Sequence, residues 1–120
     1  MSDYQRADRK ENVIVILTFE FAKKIIRYCD ELELRKRFVI ARQLLKAGTS
    51  IGANVWEAQN AESRADFIHR MKIAAKEADE TEFWLLLCRE SAGYPGCEEI
   101  LLDCSAIIKV LSKIISTSRK

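Results

Sequence analysis

Proline is nearly absent from this sequence. Pro95 is the only one in 120 residues, and glycine occurs four times. That scarcity excludes a flexible linker or a low-complexity chain. Histidine is scarcer than expected for a metalloenzyme: His69 stands alone. A di-metal site in a helical bundle pairs Glu-x-x-His motifs on two helices, and the chain has none. Four cysteines, Cys29, Cys88, Cys97 and Cys104, include no Cys-x-x-Cys pair, so a zinc knuckle is excluded. Cys97 and Cys104 would stand two helical turns apart, roughly 10 Å, too far to share a zinc or a disulfide. They are expected as reduced, buried thiols. There is no long apolar run: "VIVILTF" is too short to span a bilayer, and the polar start "MSDYQRADRKEN" is no signal peptide. A cytoplasmic protein with no membrane association is the expectation.

A large charge surplus is missing as well. The net charge is +2, so bulk charge does not argue for a nucleic-acid partner. The distribution is uneven, however. Residues 1–47 carry eleven Lys/Arg against seven Asp/Glu, whereas residues 48–91 carry five against eight. One face of the fold can therefore be basic and another acidic.

What remains is helix-forming: Ala, Leu, Ile, Glu, Lys and Arg dominate. The length suits one domain, with roughly two-thirds of the unfolded chain's surface buried on folding. Hydrophobic spacing predicts four helices, at about 12–34, 36–60, 63–92 and 97–116. In the first, Ile14, Leu17, Phe21, Ile25, Tyr28 and Leu32 form a stripe that Ala22, Ile26 and Cys29 widen. Asn12 is its expected N-cap, and Glu20 is expected to pair with Lys24. The second shows Phe38, Ala41, Leu45, Gly48, Gly52, Val55 and Gln59 on one face. Between them, "DELELRKRF" offers neither Gly nor Pro. It sets acids before a helix end and bases at the next start, against both macrodipoles; the two clusters are expected to neutralise each other across a short turn. The third helix starts at Ser63 with Asp66 as a weak capping box. It repeats Phe67, Met71, Ala74, Ala78, Thr81, Leu85 and Cys88 in steps of four and three, the spacing of shallow-angle helix packing. Gly93 as C′ residue and Pro95 should end it. The fourth presents two seams, Leu101/Cys104/Ile108/Leu111/Ile115 and Ile100/Ile107/Ile114, and a frayed end. The predicted fold is all-α: a single-domain, antiparallel up-down-up-down four-helix bundle.

The segment "AGTSIGANVWEAQNA" puts poor helix formers inside the second helix. Gly48 and Gly52 lie one turn apart on one face and together cost roughly 1.5–2 kcal/mol relative to alanine. Removing two side chains suits close approach of another helix. Ser50, Asn54 and Glu57 form a polar stripe on a different face, available to a neighbouring helix, a subunit or a ligand. Trp56 points elsewhere again.

The stretch from Arg42 to Leu87 resembles the four-helix-bundle family encoded in intervening sequences of bacterial large-subunit (23S) ribosomal RNA genes. Gln43, Leu44, Ala47, Ser50, Ile51, Asn54 and Glu57 match that family's second helix in register. Arg64, Phe67, Ala74, Ala75, Glu80 and Glu82 look similar downstream. Gly52 stands where the family usually has proline, Ala58 where it has glycine, and Lys46 where it has arginine. The resemblance implies a non-enzymatic, ring-forming bundle, often of five subunits, without cofactor. A related group serves diversity-generating retroelements and binds nucleic acid and a reverse transcriptase, so RNA, DNA or another protein are the implied partners.

Basic residues are the candidate nucleic-acid contacts: Lys23, Lys24 and Arg27, then Arg35, Lys36, Arg37, Arg42 and Lys46. Phosphate contact needs only such charge, and a ring would repeat it on every subunit. No base-reading motif accompanies them. His69 falls opposite the Phe67/Met71 seam and should be exposed. Histidine phosphotransfer is an alternative there, although the Gly-Ser pattern of such domains is missing after Lys72. No nucleophile has a sequence-visible partner.

Overall fold

A computed structural model describes residues 12–119. Its helices are α1 (Val13–Leu34), α2 (Phe38–Ala58), α3 (Arg64–Arg89) and α4 (Glu98–Ser118). They run up and down, each packed on its chain neighbours, with α4 closing more sparsely against α1. No described residue lies in a strand. The expected all-α four-helix bundle is therefore what the chain forms.

Each boundary has a local cause. Asn12 caps α1 by accepting from the Val15 amide, while its own amide donates to Gln59 Oε1 at 2.8 Å at the far end of α2. Ser63 caps α3, accepting from the Asp66 amide at 3.1 Å. Asp66 Oδ2 accepts in return from the Glu62 amide at 3.2 Å, one residue before the cap, rather than from the Ser63 amide of a standard capping box. The turn from α1 to α2 is a Schellman motif. Arg37 N–H donates to Leu32 O at 2.8 Å and Lys36 N–H to Glu33 O at 2.9 Å. The left-handed position, normally a glycine, is held by Lys36 with φ 62°. Among the described residues, the bases of this turn make no direct ion pair with the acids that end α1. Gly93 is not the C′ residue of α3. That helix stops at Arg89 with Glu90 as C-cap, and Gly93, at φ 82°, turns the chain three residues later. The end of α4 is helical through Ser118, two residues beyond the expected limit.

The core is formed by the inward stripes. On α3 the expected heptad is buried from Met71 through Cys88, with Phe67 half-buried at its outer end. The three other stripes sit differently. The buried face of α2 is Ala41, Leu44, Ala47, Gly48, Ile51, Val55 and Ala58. Phe38 and Leu45, expected inside, are 48% and 38% exposed. On α4 the buried row is Leu101, Cys104, Ile107 and Leu111, taken from both expected seams. On α1, Leu17 turns outward and Thr18 is buried instead. The Thr18 hydroxyl is satisfied by donating to Ile14 O at 2.8 Å.

The glycines of α2 mark where α1 comes closest. A Cβ on Gly48 would stand 2.8 Å from both Cγ1 and Cγ2 of the fully buried Ile25. A Cβ on Gly52 would stand 3.2 Å from the backbone oxygen of Thr18. Close helix approach thus accounts for two residues that weaken the helix they sit in.

Candidate functional site

The eight candidate bases divide by what they touch. Lys23 pairs with Glu20 at 3.3 Å on the surface of α1. Lys24 therefore does not take Glu20. It reaches across to α4, 2.7 Å from Asp103 and 3.0 Å from Glu99. Its hydrogen bonds to Asp103 and then Glu99 hold its ammonium pKa above the ordinary lysine value. Arg35 donates to Gly93 O at 3.2 Å, and the Arg37 guanidinium lies 4.9 Å from the Tyr94 ring centre. The α1–α2 turn is thereby clamped to the loop before α4. Tyr28 completes this clamp by donating to Pro95 O at 2.8 Å. Burial, with Cys88 and Cys97 alongside, pushes the Tyr28 phenol well above its ordinary value.

Arg27, Lys36, Arg42 and Lys46 are exposed and make no ion pair among the described residues. Arg42 and Lys46 stand one turn apart on α2. Lys46 lies close enough to Glu77 of α3 to oppose the upward shift that burial and Glu80 give that carboxyl.

The polar stripe of α2 is turned mostly upon its own helix. Ser50 Oγ donates to Lys46 O at 2.6 Å, and Asn54 Nδ2 donates to Ser50 O at 2.9 Å. Glu57 alone reaches another helix, accepting from Arg70 of α3 at 2.7 Å. His69 is exposed on α3, as its position opposite the seam requires.

The feature that sequence reasoning missed is apolar. Val15, Phe19, Ala22 and Ile26 of α1 and Thr49, Gly52, Ala53 and Trp56 of α2 line a groove of about 350 Å³ among the described residues. The rings of Phe19 and Trp56 lie 6.3 Å apart at one end. Leu45, one turn before Thr49, continues the α2 row. Gly52, which admits the Thr18 backbone, also lines this groove. The signal was present, since Val15, Phe19, Ala22 and Ile26 recur at four, three and four beside the core stripe. On α3 a second apolar feature stands proud: Phe83 is 56% and Leu87 41% exposed, one turn apart.

The four thiols are buried and free. Cys97 Sγ donates to Leu85 O at 3.4 Å and Cys104 Sγ to Ala78 O at 3.5 Å. Burial, the leading cause, raises all four, with Cys29 and Cys104 each at about 12. Thiols so placed are inert fillers at neutral pH. Among the described residues no three His, Cys, Asp or Glu converge as a metal would need, and no helix is long and apolar enough to cross a membrane.

Comparison with known proteins agrees with this architecture. The family described as 23S rRNA-intervening sequence protein matches residues 10–116. The chain is also similar to a crystal structure of a protein of unknown function from the S23 ribosomal protein family of Bacteroides thetaiotaomicron VPI-5482. The two are 42% identical, with a TM-score of 0.81, over 85% of this chain and 97% of that one. None of the curated proteins compared with the chain matches it.

Proposed function

We infer that this chain, which belongs to the 23S rRNA-intervening sequence protein family, is a non-enzymatic cytoplasmic bundle that works by self-association. Five copies are the expectation drawn from the family resemblance. The observation that carries the reading is the apolar pair Phe83 and Leu87 on α3, one turn apart and 56% and 41% exposed. A stable monomer has little reason to leave such a face in water.

Nucleic acid is the proposed partner of the assembly. Arg27, Lys36, Arg42 and Lys46 are exposed without ion pairs among the described residues, and symmetry would multiply them. Contacts of this kind bind phosphate without reading bases. Light scattering tests the first part: the mass should be a multiple of 13.8 kDa. A chain that stays single at high concentration would sink it. RNA retention tests the second. With six or more phosphate contacts per assembly, affinity should fall by roughly 10³ between 50 and 200 mM salt. Arg42→Gln with Lys46→Gln should weaken it further. Assembly without retention at any salt would leave a protein scaffold.

A further inference from the structure

The α1–α2 turn and most of α2 form the longest stretch of the chain without an acid. No Asp or Glu stands between Glu33 and Glu57, while Arg35, Lys36, Arg37, Arg42 and Lys46 all fall there. At the start of α2 this stretch borders a recess of about 260 Å³, lined by Lys36, Arg37, Phe38, Val39, Ile40 and Tyr94. Phe38 is half-exposed and stands outside the packed core. The recess has a cation held in place. The Arg37 guanidinium lies 4.9 Å from the Tyr94 ring centre. Gly93 leaves room for it, since a Cβ there would stand 2.7 Å from Arg37 Nη2. Tyr94 positions that charge without neutralising it. Lys36 is exposed and makes no ion pair among the described residues.

From the recess a row leads along α2. Phe38, Arg42 and Lys46 follow one another in steps of four residues, about 6 Å each along the axis. Arg42 makes no ion pair among the described residues, and Lys46 has only Glu77 of α3 within electrostatic reach. Arg27 does not join this row; it lines a separate cavity between α1 and α4. Cations alone suit any chain of phosphates. An exposed ring among them discriminates. Bases inside a duplex are stacked on one another and offer no face to a side chain, whereas unpaired bases do.

We propose that this recess takes an unpaired base of single-stranded nucleic acid, stacked on Phe38, while Lys36, Arg37, Arg42 and Lys46 hold the flanking phosphates. The inference rests on the nucleic-acid reading and names the form of the strand. Stacking accepts any base, because every base has a flat face. The site therefore needs no base-reading side chains, and the chain shows no motif for them.

Fluorescence anisotropy with a labelled oligouridylate, and with an RNA duplex of equal length at the same salt, tests this. The wild type should prefer the single strand. Phe38→Leu keeps apolar bulk but removes the flat ring. It should weaken single-strand binding by about tenfold and leave duplex binding unchanged. Phe38→Trp should restore the single-strand affinity. Position 38 is half-exposed, and circular dichroism verifies that helicity is kept. Arg42→Gln with Lys46→Gln should weaken both forms and flatten the salt dependence, which separates phosphate contact from base contact. A Phe38→Leu protein that holds the single strand as the wild type does, or a wild type that prefers the duplex, would overturn the stacking site while leaving phosphate binding standing. Polyglutamate that displaces the labelled strand as well as unlabelled oligouridylate does would reduce the site to charge alone and also defeat the assignment. A wild type that binds neither RNA at low salt would remove both readings.

Discussion

Replacing Gly48 by alanine sets two effects of known size against each other. Alanine is the better helix former by roughly 0.8–1.0 kcal/mol. On an open helix face that gain would appear as added stability. At position 48, however, the new Cβ would meet Ile25 Cγ1 and Cγ2 at 2.8 Å. Ile25 is fully buried and branched at Cβ, so it cannot swing away cheaply. Overpacking of this kind costs about 1–3 kcal/mol. The net expectation is a loss of about 1 kcal/mol. Deleting the obstacle isolates the cause. Ile25→Ala removes the three atoms nearest a Cβ at position 48, at a cost of about 2–5 kcal/mol by itself. In that background Gly48→Ala should stabilise, by the propensity gain of about 1 kcal/mol. The coupling between the two changes is then about 2 kcal/mol, within the range for residues in contact. Urea titration followed by circular dichroism measures all four proteins, at one protomer concentration so that assembly does not shift the comparison. If Gly48→Ala stabilises the wild type, or has the same effect in both backgrounds, close approach of α1 is not why glycine stands there.

Lys36→Gly should stabilise the fold by about 0.5–1 kcal/mol, because φ 62° is strained for lysine and free for glycine; a lower unfolding midpoint would count against the turn. Tyr28→Phe should cost about 1–2 kcal/mol, since Pro95 O would be left in the interior without its 2.8 Å donor. The buried thiols should resist a disulfide reagent at pH 8 in the native protein and react at once in denaturant. Cys29 and Cys104 hold their protons to about pH 12, against 9.0 for an ordinary thiol. The folded state therefore binds more protons than the unfolded state above pH 9. Their contribution is intact below that value and is lost as pH climbs from 9 towards 12; stability that rises across that window would contradict their burial.

The third helix was legible because Met71, Ala78 and Thr81 are flanked by charged residues, which fixes a phase that then carries through the apolar run to Leu85 and Cys88. The second helix was harder for an identifiable reason. Leu44 and Leu45 are adjacent, and choosing Leu45 as the inward residue turns the stripe by one residue, about 100°. The structure buries Leu44, with Ile51 and Ala58 in phase, and leaves Leu45 to extend the groove. The expected stripe held Ala41, Gly48 and Val55 in common with the buried face but put Leu45 and Phe38 inside in place of Leu44, Ile51 and Ala58. The α1–α2 turn was hard to read since lysine holds the position that usually announces itself as glycine. The basic cluster was legible as charge but not as contact. Nothing local in "LRKRF" says that Arg35 and Arg37 will meet Gly93 and Tyr94, nearly sixty residues away.

Gly52→Ala sets the same two effects against each other at a gentler contact. The missing side chain faces the Thr18 backbone at 3.2 Å, a few tenths of an ångström tighter than comfortable contact. Backbone in a packed helix yields less readily than a side-chain tip, yet the required movement is small. The propensity gain of about 1 kcal/mol should largely offset it. Gly52→Ala is therefore expected to leave stability within about 1 kcal/mol of wild type. Urea titration at one protomer concentration measures it. A loss beyond about 2 kcal/mol would show that the Thr18 backbone cannot give way, and that glycine stands at position 52 for the approach of α1 as it does at Gly48.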